Sequence, residues 1–198
     1  MPGSLSEKPQ NSVNPGLPLF LGTRPFQVIP VQWSDHILHE DGTLEHNEFL
    51  ATKREDPSRE FATTLLDALG DSGSVVHYSP YEWTQMKSLA TRFGDLATRL
   101  LAVEPRLFDL AFPVKNHCFD PRLHGSYSIK YALPVLAPEL PHYADLAVHN
   151  GDMAMRVYAD MLDPDTAADQ RAEIEQDLRV YCRQDTLGMV EMYQTLST

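Results

Sequence analysis

Cysteine is nearly absent: the 198 residues hold two, Cys118 and Cys182. Without metal-ligand spacing they make neither a thiolate cluster nor a disulfide framework, the usage of a reducing cytoplasm. Long apolar runs are lacking too. No stretch approaches the ~18 residues of a spanning helix, and the N-terminus lacks the basic and apolar regions of a secretory signal. The expectation is a cytoplasmic protein with no membrane partner. Basic side chains are scarce: 16 Lys and Arg against 28 Asp and Glu leave a net charge of -12. That balance excludes a general phosphate-coating surface of the kind that drives nonspecific DNA binding. It leaves room for a nucleic-acid enzyme, because a site that holds metal cations is itself acidic. What is present is 42% hydrophobic content, enough for one domain with a core.

Residues 1–16, "MPGSLSEKPQNSVNPG", have almost no apolar content and read as a disordered start. Residues 17–198 read as one α/β domain. "PFQVIPVQWSDHIL" (25–38) and "TLEHNEFLA" (43–51) are strands joined by a turn at Asp41-Gly42. Asp56-Pro57 opens a helix over 57–69, and Gly70 stops it. "GSVVHY" (73–78) and "RLFDL" (106–110) are short buried strands around a single helix over 79–102. A polar loop (113–127) precedes helices near 128–136, 150–162 and 167–196. Asn150 caps the second of these. A hairpin followed by alternating helices and strands indicates a mixed sheet flanked by helices.

Two carboxylates fall where apolar residues belong. Ile174, Leu178, Tyr181, Asp185, Met189, Met192 and Leu196 form the inward stripe of the last helix. A buried, unpaired carboxylate costs several kcal/mol or neutralises, so Asp185 needs a partner: an arginine of another helix, or a metal ion. Glu82 heads a similar stripe through Met86, Leu89, Phe93, Leu96 and Leu100, just after a strand end, where α/β folds place their sites. Ser79-Pro80-Tyr81-Glu82 also reads as a capping box, with Glu82 reaching back to the Ser79 amide. Tyr181, one turn before Asp185, points the same way. Two inward carboxylates can hold a divalent ion through hard oxygen ligands, and such ions support phosphoryl hydrolysis.

These residues carry a resemblance. "YCRQD" (181–185) resembles the Tyr-x-x-x-Asp last motif of the DEDDy branch of 3'-5' exonucleases, which have the ribonuclease H-like fold. "GSVVHYSPYEW" resembles their middle motif, with Glu82 where Asp is usual. "GTRPFQVIPVQWSDHIL", "HNEFLA", "DPSREF", "GSYSIKYALPVLAPEL" and "YADLAVHNGDMAM" resemble the bacterial family called domain of unknown function 2779, grouped with those DnaQ-like exonucleases. The resemblance spans about residues 17–196. It implies that Asp185 and Glu82 are metal ligands for Mg2+ or Mn2+, and that Tyr181 orients the attacking water. It places Asp109 at the end of the last strand, as a substrate contact or simply a cap, and Lys130 as a phosphate contact or a solvated lysine. The implied substrate is single-stranded nucleic acid, DNA or RNA.

One departure bears on activity. The first, central strand of that fold carries an Asp-x-Glu pair, about ten residues before the segment matching "LPLFLGTRPF"; here that stretch is "SEKPQNSVN", with Pro9 and Asn11 near the acids' places. The expectation is an incomplete or inactive nuclease domain, its strand supplied by an upstream segment or partner. The alternative is a catalytically dead module that binds nucleic acid or protein. His36, His39 and His46 read as dispersed over the hairpin rather than as a zinc site. Trp33 and Trp83 read as core or edge aromatics. The 113–127 loop, with Lys115, His117, Arg122 and His124, is the compact cluster of basic and titratable groups, and reads first as a plain surface loop, with a substrate-facing lid as the alternative.

Overall fold

The structure is a computed structural model that describes residues 27–197; the expected disorder of residues 1–16 lies outside them. Strands β1 (Gln32–Leu38) and β2 (Leu44–Leu50) form an antiparallel hairpin. Its turn is set by Asp41, whose carboxylate accepts from the Thr43 amide and hydroxyl, and by Gly42 at φ 84, a left-handed geometry that glycine adopts freely. The predicted first strand begins late, at Gln32, because Pro30 cannot donate to a ladder.

Helix α1 (Ser58–Leu69) starts where Asp56-Pro57 predicts and ends at Gly70, φ 53. The Asp56 carboxylate fixes that start: it accepts from the Ser58 amide at 3.0 Å and hydroxyl at 2.6 Å, and pairs with Arg92 of the next helix. Ser58 is fully buried, so removing Asp56 strands two donors and a guanidinium. Asp56→Ala is expected to cost ~1–2 kcal/mol, read as a lower urea midpoint at unchanged slope.

Beyond β3 (Val75–His77) the single helix expected over 79–102 is two, α2 (Tyr81–Arg92) and α3 (Ala97–Leu101). Gly94-Asp95 interrupts it, and Asp95 turns out to bind Arg59 at 2.8 Å. The apolar stripe survives the break, since Met86, Leu89 and Leu100 are buried in one cluster with Phe93 and Leu96 against it. After β4 (Leu107–Asp109), residues 113–127 are not one loop. Helix α4 (Ala111–His117) runs into them, and a 3-10 turn follows at Pro121–Leu123. Polar composition hid a helix whose apolar contribution is little more than Val114, Leu110 and Cys118. Helices α5 (Ile129–Leu136), α6 (Gly151–Leu162) and α7 (Ala168–Leu196) lie close to their expected bounds, and Asn150 caps α6 by accepting from the Met153 amide at 2.9 Å.

The four strands of the described residues do not form one sheet. β1 pairs with β2 antiparallel, β3 pairs with β4 parallel, and no pairing joins the two halves among the described residues. The edge facing the break can be named for β1. Ala51 donates to Val31 at 2.8 Å, so antiparallel alternation turns the peptide groups of Trp33, Asp35 and Ile37 toward β2. Those of Gln32, Ser34 and His36 face the other way. The fold is therefore α/β, two small sheets flanked by helices. Trp33, Phe61 and Leu66 tie α1, α2 and α3 to one hairpin face, while Leu50 joins Tyr158 and Leu178 where α6 and α7 cross it. A third cluster binds β3, α4, α5 and the second half of α7.

Candidate active site

The parallel strands end together, His77 beside Asp109. Past them the chain turns sharply through Ser79, at φ 110, a region that non-glycine residues rarely occupy. Asp109 holds the turn. Its carboxylate accepts from the Ala111 amide at 2.9 Å and from the Ser79 amide at 3.3 Å. The capping box expected for Glu82 is thus not made: Asp109, not Glu82, takes the Ser79 amide, and α2 has Pro80 as its cap with no side-chain bond. Glu82 instead accepts from the Ser79 hydroxyl at 3.4 Å, with His77 Nδ1 3.9 Å away. The same His77 Nδ1 also bonds the Ser79 carbonyl oxygen, so one nitrogen of a buried imidazole faces both the turn backbone and Glu82. Glu82 is 49% exposed, and burial of the remainder raises its pKa, helped by the negative charge of Asp109.

A strained serine at a strand end is a position held by its surroundings. Ser79→Gly removes the Cβ conflict at the expense of two long hydroxyl contacts, one donated to Glu82 and one accepted from the Tyr81 amide, each 3.4 Å. The expected outcome is a gain on the order of 1 kcal/mol, measured as a raised denaturation midpoint.

The second half of the site comes from α7, about a hundred residues later. Tyr181 and Met189 pack into the core on either side of Asp185, so the aspartate is carried inward. Its partner is not an arginine. The Tyr143 hydroxyl donates to Asp185 Oδ1, from a 3-10 turn (Tyr143–Asp145) that Gln184 secures by donating to the Pro141 carbonyl at 2.8 Å. Tyr143 and Tyr181 meet edge to face, ring centroids 6.2 Å apart. Burial pushes Asp185 up to about 6. The Tyr143 bond and the positive charge of Lys130 oppose that rise, and the negative charge of Glu82 adds to it. Burial and Asp185 also raise Tyr181, so its phenol keeps its proton at neutral pH and remains a donor.

The residues singled out by sequence therefore converge. Asp185 lies within electrostatic reach of both Glu82 and Lys130, Glu82 within reach of Asp109, and Tyr181 one turn from Asp185. Sequence marks neither His77 nor Tyr143 as a contributor, and Ser79, expected as a helix cap, enters as the strained residue of the turn. Tyr143 stands in "YADLAVHNGDMAM", a stretch with a recognisable pattern, but nothing in its own spacing marks a partner for Asp185. As a divalent-ion site the cluster is short of ligands. Among the described residues no three His, Cys, Asp or Glu side chains come together well enough to hold an ion, and Asp185 spends one oxygen on Tyr143. The implied Mg2+ or Mn2+ does not fit these residues alone.

The hairpin histidines sit elsewhere and are less dispersed than expected. The His36 and His46 rings lie tilted against each other with centroids 4.6 Å apart, bridged by the Ser34 and Thr186 hydroxyls at 2.8–3.0 Å. Burial, the neighbouring His46 and Arg183 hold His36 down at about 4, so the pair is neutral glue between hairpin and α7. His39 pairs with Glu45 instead.

The sequence profile described as Domain of unknown function (DUF2779) matches residues 11–128. The match takes in Glu82 and Asp109 and stops before Lys130, Tyr181 and Asp185, so it is shorter than the span of resemblance read from the motifs. No curated protein and no solved structure matches the chain. None of the helices in the described residues is long and apolar enough to cross a membrane.

Proposed function

Since the chain belongs to the DUF2779 family, we propose that it carries half of a 3'-5' exonuclease-type site of the ribonuclease H-like class. The observation that supports this most is the electrostatic influence of Glu82 on Asp185. Helices far apart in sequence bring two carboxylates into one field, beside paired parallel strand ends, with a protonated tyrosine one turn from the second acid. That placement serves phosphodiester hydrolysis, where negative charge gathers cations and a phenol orients a water. Lys130 adds a positive charge that a phosphate would meet. Among the described residues the β1–β2 and β3–β4 pairs are separate sheets, and a further strand bearing carboxylates would supply the ligands that Glu82 and Asp185 lack.

No hydrolytic step is assigned to the described residues by themselves, because their donors do not suffice for the ion. A second reading draws on the same observation: a catalytically dead module, with Asp185 satisfied by Tyr143, that binds nucleic acid or protein. Loss of nucleotides from the 3' end of a labelled single strand separates the two. It is expected only of a form in which an Asp-x-Glu strand is present, and it must stop when chelator is added. If that form leaves the strand intact, the second reading stands.

A further inference from the structure

The exposed aromatic residues of this protein are not scattered. Six are found among the described residues, and four of them lie between β4 and α5: Phe108 (44% exposed), Phe112 (66%), Phe119 (83%) and Tyr131 (47%). A Phe at 83% exposure gains nothing for the fold, and a cluster of such residues marks a contact surface. The same stretch reverses the charge of the chain. Residues 108–131 contain Lys115, Arg122 and Lys130 against the acids Asp109 and Asp120, in a protein with 28 acidic and 16 basic residues.

Helix periodicity puts the two kinds of residue side by side. Val114 is the buried residue of α4, which leaves Phe112, Lys115 and Asn116 on its outward face. Exposed His124 meets Tyr131 edge to face, centroids 6.5 Å apart. Two links tie this stretch to the Glu82–Asp185 site. Lys130 precedes Tyr131 and acts electrostatically on Asp185, and the Tyr78 hydroxyl at the end of β3 donates to the Tyr127 carbonyl at 2.7 Å.

We propose that the outward face of residues 108–131 holds single-stranded nucleic acid, bases stacked on Phe112, Phe119 and Tyr131 and phosphates on Lys115 and Lys130, beside the carboxylate pair. The inference rests on the phosphodiester reading of that pair and supplies its strand-holding surface. A single strand fits better than a duplex, because only unpaired bases offer their faces to aromatic rings. A protein ligand fits less well, since aromatic platforms interleaved with cations match alternating bases and phosphates.

The test is fluorescence anisotropy of a labelled oligo-dT, and an oligo-U of the same length, with the full 198-residue chain in chelated buffer at low salt. Both single strands should bind, and a duplex of equal length should bind more weakly. Phe119→Ala and Phe112→Ala should each weaken binding by roughly 10-fold or more, without moving the thermal transition. Lys115→Gln should flatten the dependence of log affinity on log salt by about 0.7, the slope carried by one single-strand phosphate. No binding, or binding that both phenylalanine variants leave unchanged, overturns the proposal. Binding is read without metal or turnover, so an inactive site does not mimic failure of this surface, nor the reverse.

Discussion

The 198-residue chain should release no nucleotide from the 3' end of single-stranded DNA or RNA in magnesium or manganese. The expectation follows from counting charge. Two ions about 4 Å apart bring four positive charges, and Glu82 and Asp185 return two negative ones, one of them partly neutral near pH 6. A form that also carries a strand with Asp-x-Glu should shorten single strands from that end. In that form Asp185→Asn should lower the rate by two to three orders of magnitude or more, because removing a metal ligand removes the ion's hold on the developing charge. Tyr181→Phe should cost less, since orienting a water supplies only part of the barrier. Time courses on end-labelled oligonucleotides, with and without chelator, read all of these. Chelator-sensitive turnover by the 198-residue chain itself would mean that carboxylates other than the expected pair complete the site.

Asp185→Asn should stabilise the protein in chelated buffer at pH 7.5. Its carboxyl has a folded-state pKa near 6 against 3.8 for the free side chain. The sign is the reverse of an ion-paired aspartate. The folded state binds the proton more tightly, so below pH 4 both states are protonated and the acid costs nothing. From pH 4 to 6 the unfolded chain ionises while the folded one resists, and stability falls as pH rises. Above 6 the full penalty applies, at most about 3 kcal/mol from a shift of roughly two units. Asparagine keeps an acceptor for the Tyr143 hydroxyl and carries no charge. Its expected gain is ~1–3 kcal/mol at pH 7.5, vanishing near pH 4. Paired urea titrations across that range measure it. Destabilisation at pH 7.5 would show an ion pair at Asp185.

Periodicity and punctuation made most of the elements legible. Asp41-Gly42, Asp56-Pro57, Gly70 and Asn150 are local chemistry, and each marks a turn or helix end within a residue or two. Longer-range features left no such mark. Gly94-Asp95 was read as part of one helix because the apolar stripe runs straight through it, and stripes report faces rather than continuity. Helix α4 was hidden because it buries one residue of its own length, Val114. In the site, Asp185 and Glu82 stood out because a carboxylate on an apolar stripe conflicts with burial. Their neighbours conflict with nothing: a tyrosine in a core and a histidine at a strand end are ordinary until the fold brings them to what they bond. The Ser79 turn also follows from tertiary context, since Asp109, thirty residues away, takes the amide that a local cap would have used.

Whether Glu82 and Asp185 share one site is tested most directly by following the Asp185 carboxyl carbon by NMR through a pH titration in chelated buffer. The wild-type chain should give a midpoint near 6. Glu82→Gln should lower that midpoint, because it removes a negative charge that opposes ionisation of Asp185. A wild-type midpoint in the ordinary aspartate range, or one that Glu82→Gln leaves in place, would contradict a common site.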